Sequence, residues 1–202
     1  GPGKLTFFSN GNSYTGNTTI TGGKLIVDTS AGANNGLNGN IFIGNSGNTG
    51  AQDSVILQQG ETVQGTNSAN DVIADTANMT IYEDGLYAMQ NNQETFNSLT
   101  LQGGHVNEGN LSNPSAGITL TLNSSTPVTT QASTQTSVIE GGNLMMTQGT
   151  STFNVASGSA PGGVDLQINA IIQDNLAPSG GSTLTKSGAV TLVLTGANTY
   201  LG

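Results

Sequence analysis

A short unit returns along this chain and limits what it can fold into: an apolar-alternating run, a Gly-Gly pair, then a second alternating run. It stands as Thr19-Ile20-Thr21-Gly22-Gly23-Lys24-Leu25-Ile26-Val27 and as Leu99-Thr100-Leu101-Gln102-Gly103-Gly104-His105-Val106. A third copy is Ser137-Val138-Ile139-Glu140-Gly141-Gly142-Asn143-Leu144-Met145-Met146, and shorter forms begin at Gly162-Gly163 and Gly180-Gly181. The pairs start at 22, 103, 141, 162 and 180, so the intervals are 81, 38, 21 and 18, close to multiples of 20. Short strands joined by sharp corners at that recurrence are what one coil of a β-solenoid requires. Gly supplies the positive φ that such a corner needs. The expectation is an all-β fold, a single-stranded parallel β-helix with about 20 residues per coil. Stacked about 4.8 Å apart, some ten coils would make a rod about 45 Å long. Leu101, Leu120 and Ile139 fall 19 apart, which predicts one position on three successive coils.

Composition narrows the functional classes. Only 7% of the 202 residues are charged and 34% are hydrophobic, so disorder driven by high charge is excluded. No window of a dozen residues carries a helical apolar stripe. With no Cys there is neither a disulfide framework nor a thiolate metal site. A chain that stays unfolded through an oxidising compartment gains from that absence. Net charge is −9 with three Lys and no Arg. Neutralising phosphates takes Lys and Arg, which argues against nucleic acid and against an anionic membrane surface as partners. No apolar run is long enough to span a bilayer as a helix, so no direct membrane insertion of this segment is expected.

The strand-and-turn texture never changes along the chain. Alternating runs predict strands at Leu5–Phe8, Thr18–Thr21, Lys24–Val27, Asn40–Ile43, Ser54–Leu57, Thr62–Gln64, Val72–Ala74, Met79–Tyr82 and Leu86–Met89. Further ones fall at Ser98–Leu101, Val106, Ile118–Leu122, Val128, Val138–Ile139, Leu144–Met146, Phe153–Val155, Val164–Ile168, Thr183–Lys186 and Thr191–Leu194. Glu83-Asp84-Gly85 marks a tight corner. Gly1-Pro2 reads as a protease-cleavage remnant of expression, leaving residues 3–202 as one β-helical segment with terminal motifs at 5–27 and 184–202.

Those terminal motifs match each other. Asn12-Ser13-Tyr14-Thr15-Gly16 corresponds to Asn198-Thr199-Tyr200-Leu201-Gly202, an offset of 186. The C-terminal copy opens with Leu184-Thr185-Lys186-Ser187-Gly188-Ala189-Val190-Thr191-Leu192-Val193-Leu194-Thr195-Gly196-Ala197. The N-terminal copy continues through Thr18-Thr19-Ile20-Thr21-Gly22-Gly23-Lys24-Leu25-Ile26-Val27. Together they resemble the autotransporter-associated β-strand repeat, also called the passenger-associated transport repeat. Val190 stands where that family usually has Gly, and Leu201 where it usually has Thr. The resemblance implies a right-handed parallel β-helix within the exported passenger of a type V secretion protein in a diderm bacterium. It implies a place at the cell surface or outside the cell, help with secretion and folding of the passenger, and no catalytic residues.

Parallel β-helices also carry polysaccharide lyases and glycosidases, which need carboxylates at a set separation. The acids here are scattered, and the densest groups are Asp71/Asp75 and Glu83/Asp84, with His105 and Glu108 about one coil further on. A hydrolytic or cation site would need coil stacking to bring Glu83, Asp84, His105 and Glu108 to one face. Without Arg, an acidic substrate would lack a bidentate partner. The plainer reading makes Asp84 a turn residue and His105 a strand-start residue. Tyr14 and Tyr200 read as corner packing rather than glycan-stacking aromatics. Gly-rich Gly44–Gly50 lacks the Lys and the helix of a phosphate loop. No Gly-Gly-x-Gly-x-Asp repeat marks a calcium β-roll. The leading expectation is a non-catalytic scaffold with no catalytic, cofactor-binding or metal-ligating residue and no cofactor. Its expected partners are a host glycan, a surface protein, or further copies of itself along the β-helix, as for an adhesin; the alternative is a carbohydrate-active β-helix enzyme.

Overall fold

A computed structural model describes residues 3–7, 13–28, 36–47, 52–58, 72–90, 92–109, 118–175 and 181–201; Gly1-Pro2, Asp71 and the expected strand at Thr62–Gln64 lie outside them. The chain first forms β1 (Lys4–Phe7), β2 (Thr18–Ile20), β3 (Lys24–Asp28), β4 (Ile41–Ile43), β5 (Asp53–Gln58) and β6 (Asn78–Ile81). It continues through β7 (Gly85–Ala88), β8 (Glu94–Phe96), β9 (Ser98–Leu101), β10 (His105–Asn107), β11 (Thr119–Leu122), β12 (Val128–Thr130) and β13 (Ser137–Glu140). It closes with β14 (Asn143–Met146), β15 (Thr150–Asn154), β16 (Val164–Ile168), β17 (Ile171–Asp174), β18 (Thr183–Ser187) and β19 (Thr191–Leu194). The helical content among the described residues is one 3-10 turn at Pro161–Gly163.

These strands build three sheets. The first runs β1-β3-β5-β7-β10-β13-β16-β19, the second β18-β15-β12-β9-β6-β4-β2, and the third β17-β14-β11-β8. Adjacent strands are parallel throughout. From β6 onward the chain visits the second, first and third sheets in turn, the triangular circuit of a parallel β-helix. Before β8, the third side is marked, among the described residues, by a bridge between Leu37 and Ile73.

Coil length departs from the expected period. Lys4 and Lys24, Met79 and Leu99, and Leu86 and His105 stack at separations of 20, 20 and 19 residues. Ile41 and Met79 stack at 38, and His105 and Val138 at 33. The sheet spacing fixes only the strands, and each corner accommodates a different length of loop. The rod is therefore shorter than ten coils: eight strands in the first sheet span about 34 Å. Leu101, Leu120 and Ile139 do not share a position, because they lie in β9, β11 and β13, on three different sheets. All three nevertheless point inward and are fully buried.

In-and-out alternation aligns coil over coil. One inward row of the first sheet is Leu25–Val55–Tyr87–Val106–Ile139–Ile168. The second sheet contributes Ile41–Met79–Leu99–Val128–Phe153, and the third Leu120–Leu144–Ile172. All are buried, so each side chain is sheltered by those directly above and below it, about 4.8 Å away. Met146 is buried and Met145 half-buried, as a core residue and a surface residue should be.

Corners need residues without side chains where consecutive coils approach. Gly103 has φ 72°, the left-handed region. A Cβ on Gly104 would lie 2.5 Å from the Ile81 carbonyl oxygen of the preceding coil. Gly22-Gly23 and Gly103-Gly104 both turn from the second sheet to the first, whereas Gly141-Gly142 turns from the first to the third. The corner that leads into the second sheet, ahead of β4, β6 and β9, is held by stacked amides. Asn40 Oδ1 accepts from the Asn78 N–H at 2.9 Å, and Asn78 Oδ1 accepts from Asn97 Nδ2 and Ser98 Oγ at 2.8 and 2.7 Å.

Candidate functional site

Acidic residues collect at the corner between the second and first sheets. β5 begins at Asp53, opposite Gly85 on the next coil. An added Cβ on Gly85 would sit 2.5 Å from the Ile43 carbonyl oxygen. Asp53 Oδ1 accepts the Gly23 N–H at 2.8 Å, reaching one coil back. Asp84 Oδ1 accepts the Asn45 N–H. Asn45 Nδ2 donates to Asp53 Oδ2 and to the Thr21 carbonyl, each at 3.3 Å. Asp53 is 4% exposed and Asp84 7%, and the second carboxylate oxygen of Asp84 is buried without a partner.

Glu83 lies on the outside of the same corner and ties three turns together. Its carboxylate accepts from Ser133 Oγ at 2.6 Å, the Gly47 N–H at 2.7 Å and the Thr134 N–H at 3.2 Å. The Ser133 hydroxyl does most to hold the Glu83 carboxyl below the usual range, and desolvation opposes it. A lowered value means that this contribution is present above the unfolded pKa and lost as pH falls through the folded one. Because the group is largely solvated, Glu83→Gln is expected to change stability by no more than about 1 kcal/mol at pH 7. Urea titrations at pH 7 and pH 3 check this, with the smaller difference at pH 3.

His105 and Glu108 occupy other positions. His105 faces outward on β10, with Nε2 3.0 Å from Glu140 Oε1 on the adjacent β13; Asn107 Nδ2 donates to the same oxygen at 3.3 Å. Glu108 follows β10 at the corner toward the third sheet, 0% exposed, with neither carboxylate oxygen partnered. Burial alone pushes its carboxyl well above the ordinary value. Gly103, whose added Cβ would meet Glu83 Cγ at 2.9 Å, stands before β10 and Glu108 stands after it, so the two acids are at opposite ends of that strand, about 13 Å apart along the chain from Gly104 to Glu108. Paired glycosidase carboxylates stand about 5–9.5 Å apart. The structure thus separates Glu83 from Glu108 across the width of a sheet and does not unite the four predicted residues in one site. Asp75 is in a turn ahead of β6, at a different corner again. Among the described residues no three His, Asp or Glu side chains gather where a metal would be held.

Sequence reasoning overlooked Glu94. It is 1% exposed on the inward side of β8, opposite Leu120. Its carboxylate accepts the Val72 and Ile73 N–H groups at 3.2 and 3.1 Å, where the third side has a bridge instead of a strand. A Glu three residues past Asn91 within a polar run carries no sequence signal for this.

The two terminal motifs occupy equivalent angular positions. β1 precedes Tyr14 and β19 precedes Tyr200, and both strands belong to the first sheet. After β19, the chain runs beside β17: the Thr199 N–H donates to the Ile172 carbonyl at 3.0 Å, and Leu201 N–H to Asp174 Oδ2 at 2.8 Å. Tyr200 packs partly against the core, while Tyr14 is 37% exposed and its hydroxyl lies 2.8 Å from Thr18 Oγ1.

Outward from the second sheet stands a row of uncharged side chains, Thr19–Phe42–Thr80–Thr100–Thr129–Asn154–Ser187. A family model described as passenger-associated-transport-repeat matches residues 1–27 and 184–202. Comparison with curated proteins gives no match, and neither does comparison with solved structures.

Proposed function

We propose that this chain, which carries the passenger-associated-transport-repeat at both ends, is a segment of an autotransporter passenger whose task is to fold stepwise outside the cell and so assist export. The observation that carries the reading is that both copies of the repeat enter one continuous stack at the same angular position. In such a stack each strand pairs only with those of the adjacent coils, so a coil already formed templates the next one to emerge. The buried rows of Leu, Ile and Val supply the driving force at every step. The lack of Cys keeps the unfolded chain free of cross-links during transit. The chain is then a cell-surface scaffold and not a catalyst. Its flat, uncharged Thr row is the surface it offers for adhesion or for association with further copies.

The test is surface display of a passenger containing this segment ahead of an outer-membrane barrel. Folded passenger, resistant to external protease, is expected for the native segment. Replacing 184–202 by a Gly/Ser linker of equal length is expected to lower the displayed fraction several-fold. Unchanged display would remove the export role. Adhesion is read separately, as binding of displaying cells to immobilised glycans or to each other.

A further inference from the structure

The corner between the second and first sheets buries two carboxylates on consecutive coils with no cation beside them. The Asp53 N–H donates to the Asp84 carbonyl at 2.9 Å, and Asn45 touches both side chains. Both aspartates are more than nine-tenths buried, and Asp84 keeps one oxygen without a partner. Among the described residues no Lys amine lies within salt-bridge distance of either aspartate, and the His105–Glu140 contact lies elsewhere on the first sheet. A bound cation would offset the desolvation of carboxylates buried at one corner of neighbouring coils and would partner the remaining Asp84 oxygen.

The donors converging there are all oxygens. Asn45 Nδ2 donates to both Asp53 Oδ2 and the Thr21 carbonyl at 3.3 Å, so both oxygens face the one side-chain amide. Turning the Asn45 amide over would present its oxygen to them, which only a cation between them makes favourable. An oxygen set without His or Cys selects a hard cation over zinc or copper. An irregular shell that mixes carboxylate, amide and carbonyl oxygen suits Ca²⁺, whereas Mg²⁺ demands near-octahedral geometry and keeps its waters.

We propose that Asp53 and Asp84, with the Thr21 carbonyl and the Asn45 side-chain oxygen, bind one Ca²⁺ at this corner. Thr21 lies on one coil, Asn45 and Asp53 on the next, and Asp84 on the third, so the ion clamps three coils. Extracellular Ca²⁺ modules bind with Kd of about 10⁻⁴–10⁻³ M, the range expected here. The inference does not depend on the export role.

The experiment is thermal unfolding of the whole chain in EDTA, 10 mM CaCl₂ or 10 mM MgCl₂ at matched ionic strength, with a calorimetric Ca²⁺ titration. Tm is expected to rise by about 3–5 °C in CaCl₂ and less in MgCl₂, with one Ca²⁺ bound per chain. Asp84→Asn should lose the shift and the binding, while Glu140→Gln, away from the corner, should retain both. Asp53→Asn serves in the same way if Asp84→Asn does not fold. If neither folds, the native chain decides: one saturable site supports the assignment and none overturns it. An equal CaCl₂ response in native chain and aspartate variants is general charge screening and overturns it as well.

Discussion

Gly104→Ala is expected to lower stability by about 3–4 kcal/mol, a large part of the whole for a domain of this kind. The new Cβ would sit 2.5 Å from the Ile81 carbonyl oxygen and 2.7 Å from its carbon. Neither atom can move aside, because that carbonyl accepts the Gln102 N–H at 2.8 Å and so holds the two coils in register. Relief would require the corner to lift away from the coil beneath, separating Val106 from Tyr87 in the buried row. For a chain of this length the fall in Tm is about 6–16 °C. Gly149→Ala is the comparison, since an added Cβ there meets nothing within 4 Å and stability should stay within about 0.5 kcal/mol. Equal effects of the two substitutions in thermal melts would mean that the coils do not approach at Gly104.

Glu108→Gln is expected to make the protein more stable at neutral and alkaline pH. Glu108 is enclosed at the corner between β10 and β11, with its N–H donated to the Glu140 carbonyl at 2.8 Å but its carboxyl unpartnered. Burial favours the neutral form and raises the folded-state value. The sign follows from that direction. Below the ordinary carboxyl value both folded and unfolded chains are protonated here, and the burial is tolerated in full. As pH rises past the ordinary value, the unfolded chain ionises first and stability falls by about 1.4 kcal/mol for each pH unit until the raised folded value is reached. A glutamine of the same shape has no charge to lose. Urea denaturation should therefore give similar stabilities at pH 4 and an advantage for the Gln variant that grows as pH rises and levels off once Glu108 ionises in the folded chain. Parallel pH profiles for the two proteins would show that Glu108 is solvated or paired.

Local geometry was legible in the sequence, and long-range spacing was not. Alternation of apolar and polar residues has a period of two wherever one face is buried, so β6, β9, β14 and β16 stood out from their residues alone. β8 and β17 did not. Glu94-Thr95-Phe96 turns a carboxylate inward, and Ile171-Ile172-Gln173-Asp174 puts two Ile side by side on opposite faces. Both belong to the third sheet, so its existence was the hardest feature to see. The regular 19-residue spacing of Leu101, Leu120 and Ile139 came from three sheets and not one, because coil length is set by loops that carry no pattern. The predicted quartet dispersed for the same reason: Glu83 and Asp84 turn at one edge of the first sheet and Glu108 leaves at the other. The burial of Asp53, Glu94 and Glu108 was hidden as well, since a lone acid in a polar run looks like surface.

Everything above depends on the coils stacking in a single register, and distances between spin labels measure that directly. The chain has no Cys, so pairs of introduced Cys take label cleanly. Thr19, Thr129 and Ser187 lie outward on one row of the second sheet, with Thr129 four coils and Ser187 six coils from Thr19. Backbone separations of about 19 Å for Thr19–Thr129 and about 29 Å for Thr19–Ser187 are predicted, growing by about 4.8 Å per coil. Distances that fail to grow with coil number, with Ser187 no farther from Thr19 than Thr129 is, would contradict the stacked helix.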